Sequence, residues 1–202
     1  MSEQTYYQRS LGVEVYPHLK MALEVVDTSL PKVAVDAGCG AGRDALFLLE
    51  RGFTVHAYDK SDAAIARLRE KGQLHLDRTL FPQVCSFEYF AYPESSLINA
   101  CSSLFFCYQE RFATAWMNIA RSLLKGGVFC GHFMGPNDSW VKMGHGDLTV
   151  HSKAELNELF ARDFKILDIH EHDAEGMTLL SKQKHWHTYS VVAQKITVVN
   201  ET

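Results

Sequence analysis

The sequence predicts a doubly wound α/β fold, in which helices cover both faces of a mainly parallel sheet of seven strands. Short apolar segments alternate with helical segments over the first two thirds of the chain, and this order is typical of βαβ units. A glycine-rich turn, Gly38–Gly42, joins the first strand to the next helix, and an acid, Asp59, ends the second strand. Because ligands of such sheets bind beyond the carboxyl ends of the strands, these features predict where a binding site lies.

The first half of the chain contains four predicted strands. In order, the pattern predicts a helix over 14–30, a strand over Lys32–Ala37, a helix from Arg43 to about Arg51, a strand over Phe53–Tyr58, a helix over Asp62–Lys71, and strands near Val84–Glu88 and over Leu97–Ser102. Gly52 and Gly72 stand where a glycine ends a helix, and Ser61 can cap the helix after it.

The second half adds three strands. The pattern predicts a helix over Gln109–Leu124 closed by Gly126 and Gly127, a strand over Val128–Phe133, a loop over Gly135–Val150, a helix to about Phe160, and strands over Phe164–Ile169 and Thr188–Lys195. The last helix begins with a capping box, Ser152 to Glu155, whose side chains satisfy each other's backbone donors. The final strand is rich in β-branched residues.

Length and composition predict one domain with a sizeable core. The chain has 202 residues, 47% of them hydrophobic, with a formal net charge of −4 and a pI near 6.2. Its basic residues form no block, so nucleic acid and anionic membranes are not favoured as partners. The first ten residues lack the apolar core of a signal peptide, and no run is long enough to span a bilayer. We expect a cytoplasmic protein, a monomer or homodimer.

The cysteines predict no disulfide framework. Their number is odd and no two form a CxxC pair, so reduced, buried thiols are expected. They are Cys39, Cys85, Cys101, Cys107 and Cys130.

The glycine turn and a preceding acid predict the chemistry of the ligand. Glycines allow a positive φ and a close approach of ligand to backbone, but a GxGxG turn also fits dinucleotide sites. Asp36 lies two residues before Gly38. A carboxylate there would repel a pyrophosphate and attract a cationic amine or sulfonium. S-adenosylmethionine carries both cations. The alternative is that Asp36 only bonds the amides of the turn.

Asp59 is a candidate for binding a ribose. An acid at the end of the second strand can accept hydrogen bonds from both ribose hydroxyls. The alternative is a local role beside the helix that Ser61 caps.

Together these segments resemble the class I methyltransferases. Residues 33–45, Val-Ala-Val-Asp-Ala-Gly-Cys-Gly-Ala-Gly-Arg-Asp-Ala, are similar to motif I of that family, and residues 53–61, Phe-Thr-Val-His-Ala-Tyr-Asp-Lys-Ser, to its ribose-binding segment. Gly-Arg-Asp at 42–44 and Tyr-Asp-Lys at 58–60 are similar to the small tellurite-resistance (TehB-like) branch, and Lys-His-Trp-His-Thr at 184–188 resembles the tail of small members of the family. Leu-Lys-Gly-Gly at 124–127 resembles the loop before the fifth strand. The resemblance covers roughly residues 30–195.

The resemblance implies a Rossmann-like sheet with an antiparallel last strand and a single domain over 1–202. Residues 1–30 would form a helical lid or cap, 31–133 the cofactor-binding half, and 134–202 the acceptor side and the C-terminal strands. S-adenosylmethionine would be the cofactor and S-adenosylhomocysteine its product. The implied cofactor-binding residues are Asp36, Gly38, Cys39, Gly40, Arg43, Asp59, Lys60, Ser61, Ser86, Phe87, Ala100 and Cys101. Ser86 stands where the family usually has an acid, and Ser96 where it often has Asp.

The acceptor side is less sharply defined by sequence. Its candidates are Tyr6, Tyr7, Phe105, Phe106, Asn137 and Trp140, although core packing is the favoured explanation for Phe105 and Phe106. His132, near the carboxyl end of a strand, is the candidate catalytic base, and a structural role is an equal alternative. Thiols and metalloid oxyanions need no base, whereas oxygen or amine acceptors usually do.

Seven of the ten histidines follow residue 130. Two clusters, 170–173 (His-Glu-His-Asp) and 185–187 (His-Trp-His), have the residue types of metal sites, but no cysteine accompanies them and we expect no metal. The leading hypothesis is methyl transfer to a small molecule. A non-catalytic protein that binds S-adenosylmethionine or S-adenosylhomocysteine is the main alternative, and an NAD(P)-dependent oxidoreductase is a further one that Asp36 disfavours.

Overall fold

The computed structural model describes residues 3–145 and 148–197, with the side chains of residues 3 and 4 left aside. Gly146 and Asp147 of the predicted loop over 135–150 lie outside the described residues. The strands are β1 Val33–Ala37, β2 Thr54–Asp59, β3 Leu80–Val84, β4 Ser95–Ala100, β5 Leu123–Met134, β6 Phe164–Met177 and β7 Gln183–Lys195. The helices are α1 Glu3–Leu11, α2 Pro17–Val25, α3 Arg43–Leu49, α4 Asp62–Lys71, α5 Gln109–Ser122, α6 Ser139–Lys142 and α7 Lys153–Ala161.

All seven strands form one sheet in the order β3-β2-β1-β4-β5-β7-β6. Strands β1 to β5 pair in parallel, and β7 is antiparallel to both of its neighbours. The strand order reverses between β1 and β4, which places a binding crevice at the carboxyl ends of these two strands. The predicted doubly wound sheet with an antiparallel last strand is confirmed.

The core has one layer on each side of the sheet. Helices α2, α3 and α4 bury Leu19, Leu48 and Leu68 against one face. Helices α5 and α7 cover the other face, where the ring of Trp116 packs against Phe129 and Phe160 at centroid distances of 5.2 and 4.8 Å. Because both faces are covered, the carboxyl edge of the sheet is left as the place where a ligand can reach the strand ends.

The helix boundaries that the sequence predicted best are those set by capping residues. Ser61 Oγ accepts from the amide of Ala64 at the start of α4, and Gly72 follows its end. The capping box of Ser152 and Glu155 opens α7 as predicted. The helix predicted over 14–30 is shorter, since Tyr16 is extended before Pro17 and α2 stops at Val25. A residue before proline is disfavoured in the helical conformation, which explains the late start.

The third strand was predicted too far along the chain. It spans Leu80–Val84 rather than Val84–Glu88. Pro82 lies inside this strand, but β3 is at the edge of the sheet, next to β2, and an edge strand tolerates a proline. As a result, Ser86 and Phe87 lie in the loop that follows the strand.

The last two strands are longer than predicted and extend as a hairpin past the rest of the sheet. Their outer part pairs Glu171 with Tyr189, Asp173 with His187, and Glu175 with His185. This part is mostly polar, so it carries no apolar alternation that could have predicted it. Among the described residues, no helix is both long and apolar enough to cross a membrane.

Candidate active site at the carboxyl edge of the sheet

The glycine turn lies at the crevice where the strand order reverses. Gly38, Gly40 and Gly42 all have positive φ, at 73°, 53° and 93°. The amides of Gly38 and Cys39 both donate to the carbonyl of Tyr58 at 2.9 Å, which fixes the turn against the end of β2. Positive φ is easily adopted by glycine and costs other residues about 1–2 kcal/mol.

Only one of these glycines faces free space. A Cβ on Gly38 would overlap Ser103, and one on Gly42 would overlap Leu68, whereas a Cβ on Gly40 would meet nothing within 4 Å. Gly40 is therefore the point of the turn that a ligand can approach most closely.

Gly40 and Gly42 give a matched test of this difference. We expect Gly42→Ala to lower the free energy of unfolding by about 2–4 kcal/mol, through positive φ and the overlap with Leu68. Gly40→Ala should cost only about 1–2 kcal/mol but should block the ligand. Thermal melts and cofactor titration of both variants check this. Undiminished cofactor affinity in Gly40→Ala would show that the ligand does not lie against this turn.

Asp59 ties the glycine turn to the loop after β2. Its Oδ2 accepts from the amide of Gly40, and its Oδ1 from the amide of Ser61, both at 2.9 Å. A carboxylate has about four acceptor positions, two on each oxygen. Each oxygen of Asp59 therefore keeps one acceptor position that a ligand can use. Lys60, beside it, is exposed.

Asp36 begins a buried polar network under the turn. Its Oδ1 accepts from Asn99 Nδ2 at 2.8 Å, and the same amide nitrogen donates to Asp44 at 3.1 Å. Arg43 holds Asp44 through two hydrogen bonds of 2.6 and 3.0 Å. Asp36 Oδ2 is buried and has no partner. A buried carboxylate oxygen without a partner is an unsatisfied acceptor.

Burial determines the protonation of Asp36. Loss of solvent, followed by repulsion from Asp44, raises the pKa of Asp36 to about 8. At neutral pH and without a ligand, this carboxyl group therefore holds a proton.

Helix α1 covers the turn from the outside. Tyr7 is buried against Ala41 and Ala64, a placement that favours packing over contact with a substrate. Tyr6 is 39% exposed, yet burial of its hydroxyl end raises its pKa, with Tyr16 adding to the shift and Arg43 opposing it. Arg9 donates to the Leu179 carbonyl at 2.7 Å. The helix thus reaches from the glycine turn to the end of the β6–β7 hairpin, and its role as a lid stays a prediction.

The other predicted cofactor residues are divided between crevice and core. Phe87 reaches the turn, since its Cζ would lie 3.3 Å from a Cβ on Gly38, and Ser86 is half-buried beside it. Ala100 is fully buried in the core, so only its backbone can contact a ligand. Cys101 is also buried, with its thiol donating to Asn99 Oδ1 at 2.6 Å and lying 2.9 Å from His18 Nε2.

His132 lies near the carboxyl end of β5, beside the end of the neighbouring strand β4. Its Nδ1 accepts from the amide of Ser102 at 2.9 Å. Its ring packs edge-on against Tyr16 and His18, with centroids at 4.6 and 4.4 Å. Burial first, then His18 and Arg43, lower the pKa of His132 well below its usual range.

The first turn of α2 and the residue before it therefore supply two residues that sequence reasoning missed. Tyr16 accepts from Ser102 Oγ at 2.8 Å, and Arg43 lies over its ring at 4.7 Å. The guanidinium of Arg43 thus contacts both Asp44, below the glycine turn, and Tyr16, which packs on His132. No motif predicts Tyr16 or His18, because both depend on how the chain crosses the sheet edge.

The acceptor-side candidates also divide. Phe105 is 4% exposed and packs in the core, whereas Phe106 is 41% exposed and lies 5.9 Å from the Trp140 ring. The side-chain Nδ2 of Asn137 donates to Asp173 Oδ2 at 2.8 Å, and its backbone N–H donates to His187 Nδ1 at 2.9 Å.

A buried ion pair that was not predicted fixes this loop. Lys184 pairs with Asp138, and its ammonium lies 4.3 and 4.0 Å from the ring centroids of Trp140 and Trp186. Within the described residues, this pair locks the loop after β5 to the hairpin.

Two groups of side chains have the composition of metal sites. One comprises His18, Cys101 and His132, the other Glu171, Asp173 and His187. In each, one histidine accepts a backbone N–H at Nδ1, which puts its ring proton on Nε2 and leaves no free lone pair for a metal. The hydrogen-bond pattern therefore favours proton-sharing networks over metal sites.

Comparison with known proteins agrees with this geometry. Residues 35–131 match the sequence profile of a family described as a methyltransferase domain. The chain therefore carries a methyltransferase domain over these residues, in a fold that it shares with class I enzymes that use S-adenosylmethionine. No curated protein matches it in sequence.

Solved structures share the fold of this chain at low identity. TehB from Haemophilus influenzae has a TM-score of 0.74 at 18% identity, covering 96% of this chain and 67% of TehB. A Methanosarcina mazei S-adenosylmethionine-dependent methyltransferase gives 0.67 at 16%, covering 91% and 99%. The Burkholderia thailandensis 1,6-didemethyltoxoflavin-N1-methyltransferase, with 1,6-didemethyltoxoflavin and S-adenosylhomocysteine bound, gives 0.63 at 19%, covering 90% and 79%. The predicted TehB-like fold is confirmed.

Proposed function

We propose that this methyltransferase acts on a small-molecule acceptor, such as a thiol or a metalloid oxyanion. The observation that carries the proposal is the juxtaposition, at one crevice, of the buried, unpartnered Oδ2 of Asp36 with the open face of Gly40. The likeness to a methyltransferase that holds 1,6-didemethyltoxoflavin supports a small acceptor. The net charge of −4 disfavours nucleic acid.

The residues fit the cofactor as follows. Asp36 would face the ammonium group, Gly38, Cys39 and Gly40 would line the methionine portion, and Asp59 would hold the ribose. The loop residues Lys60, Ser61, Ser86 and Phe87 would surround the adenine, with Arg43, Ala100 and Cys101 backing the site. When bound, the cofactor supplies an electrophilic methyl group on a sulfonium.

The acceptor would lie on the other side of the crevice. His132 is the proposed catalytic residue, and Tyr6, Phe106, Asn137 and Trp140 would enclose the acceptor, with Tyr7 and Phe105 supporting them from the core. Enclosure matters because a displacement at an activated methyl group needs alignment and exclusion of water more than it needs a base. We further propose a single cytoplasmic domain, working as a monomer or homodimer.

Calorimetry followed by an acceptor screen tests the function. We expect S-adenosylmethionine and S-adenosylhomocysteine to bind with micromolar affinity and NAD not to bind. A panel of thiols, phenols, amines and metalloid oxyanions would then be screened for formation of S-adenosylhomocysteine. Tight cofactor binding without turnover on any acceptor would identify a non-catalytic binding protein, and binding of NAD alone would identify an oxidoreductase.

A further inference from the structure

The hydrogen bond between Ser102 and His132 fixes the tautomer of the histidine. Ser102 has a φ of 53°, which turns its backbone N–H toward His132 Nδ1 at 2.9 Å. A backbone N–H can only donate, so Nδ1 must carry a lone pair and, in the neutral ring, the proton lies on Nε2. The Ser102 hydroxyl donates to Tyr16 and is not needed for this assignment.

This tautomer is poorly suited to a general base. Accepting a proton at Nε2 requires the proton to lie on Nδ1, where it would point at the N–H of Ser102. Accepting it at Nδ1 requires that bond to break. A catalytic histidine base commonly has its second nitrogen oriented by a carboxylate that stabilises the imidazolium. Across the described residues, no carboxylate is hydrogen-bonded to either ring nitrogen of His132.

The groups around the ring oppose a positive charge as well. Arg43 and His18 face it from the start of α3 and from α2, and both disfavour the imidazolium. Tyr16 packs on it from the segment before α2, and its neighbour across the sheet on β7 is the uncharged Ser190. His132 therefore stays neutral.

Nε2 remains available to a ligand. No described group accepts a hydrogen bond from Nε2. Nor is Nε2 one of the side-chain atoms that are shut off from solvent and lack a hydrogen-bond partner. Nε2 thus keeps some exposed surface near the carboxyl end of β5, although the residue as a whole is only 7% exposed. A rigid N–H that borders a binding crevice is a donor whose orientation is set before the ligand arrives.

We infer that His132 is a fixed hydrogen-bond donor to the methyl acceptor, and that the acceptor enters the site already deprotonated, as a thiolate or an oxyanion. The inference rests on the proposed function and specifies its substrate class. When the lone pair of such an anion bonds to the methyl carbon, the electron pair of the broken carbon–sulfur bond returns to the sulfonium sulfur. No proton is released, so no base is required.

The tautomer can be measured without knowing the acceptor. Uniformly 15N-labelled protein is recorded in long-range 1H–15N experiments from pH 5.5 to 8.5, with His132→Gln used to assign the signal. We expect His132 to show protonated Nε2 and unprotonated Nδ1 throughout, without titration. A proton on Nδ1, or titration within this range, would overturn the inference.

Kinetics then separates a donor from a base. The amide nitrogen of glutamine can replace Nε2 as a donor but cannot accept a proton. We expect His132→Gln to keep kcat/KM within about 5-fold of wild type and His132→Ala to lose about 100-fold, the usual effect of deleting one oriented donor. Both should bind S-adenosylhomocysteine normally, as should the control His75→Gln, which alters an exposed histidine. Equal loss in both His132 variants would contradict the donor role.

The acceptor class is tested on the wild-type enzyme. An acidic aromatic thiol, ionised at neutral pH, is compared with an alkyl thiol of similar size that is not. We expect the ionised thiol to react at least about 10-fold faster at pH 7, since most of an ordinary thiol is protonated there. A preference for the protonated thiol would overturn the inference. Absence of turnover with every acceptor would instead refute the proposed function, and the tautomer measurement would still decide the state of His132.

Discussion

Asp59→Ala is expected to weaken the binding of S-adenosylmethionine and S-adenosylhomocysteine by at least about 100-fold. The variant loses the proposed ribose acceptor and also the two bonds that hold Gly40 and Ser61 in place. Hydrogen bonds to a charged group are worth about 1.5–3 kcal/mol each, and about 1.4 kcal/mol corresponds to tenfold in affinity. Titration calorimetry on the purified variant measures the change directly.

The matched control is Glu94→Ala. Glu94 is an exposed acid immediately before β4, at the opposite end of that strand from the crevice, so its loss should leave affinity unchanged. Asp59→Asn should fall between wild type and alanine, because the amide keeps one acceptor oxygen but loses the charge. Unchanged affinity in a folded Asp59→Ala protein would remove Asp59 from the ribose.

Cofactor binding is expected to release a proton from Asp36. Its pKa is raised to about 8 in the free protein, so the carboxyl group is largely protonated at pH 7. An ammonium group placed against it favours the ionised form and lowers that pKa. Affinity should therefore rise with pH up to about 8. Calorimetry at pH 7 in buffers of different ionisation enthalpy should detect release of up to about one proton.

Asp36→Asn separates this effect from other titrations. The variant should release no proton from this site and should bind the cofactor at least about 10-fold more weakly, because it has no charge to offer. Proton release that persists unchanged in Asp36→Asn would assign it to another group.

The same substitution should stabilise the empty protein at high pH. In wild type, the folded pKa of Asp36 lies above its unfolded value, so folded molecules hold a proton that unfolded ones release between about pH 4 and 8. Stability therefore decreases as pH rises through that window. Asp36→Asn lacks this loss, and its melting temperature should exceed that of wild type by several degrees at pH 9, with the gap closing toward pH 4. An equal gap at both pH values would contradict the assignment.

The parts of the fold that sequence predicted well are those encoded by local chemistry. Helix α4, with Ser61 before it and Gly72 after it, was predicted at its observed bounds, and the capping box placed the start of α7. Strand β3 was misplaced because Pro82 contradicts local strand rules and is tolerated only through the tertiary fact that β3 is an edge. Local patterns do not reveal which strand will be at an edge.

The candidate site shows the same division. Asp36, Gly40 and Asp59 follow from a motif with fixed spacing, and their grouping at one crevice agrees with the prediction. The pairing of His132 with Ser102 joins positions thirty residues apart, and His18 meets Cys101 across eighty-three. Such contacts depend on strand order and on the course of the N-terminal segment, which no periodicity encodes. The sequence allows roles in substrate binding to be proposed. It does not show which ring nitrogen of His132 carries the proton, and the proposed role of that residue depends on this.

The position of β7 has a consequence for how the protein is made. Because β7 lies between β5 and β6, β6 has no neighbouring strand to pair with until residues 183–195 have been synthesised. A chain emerging from the ribosome can assemble β1 to β5 early, but β5 then presents an unpaired inner edge of the kind that promotes aggregation. Lys184, which secures the loop after β5, arrives in the same late segment. The loop after β5 is therefore secured last, and nascent chains are most vulnerable in the interval before β7 inserts.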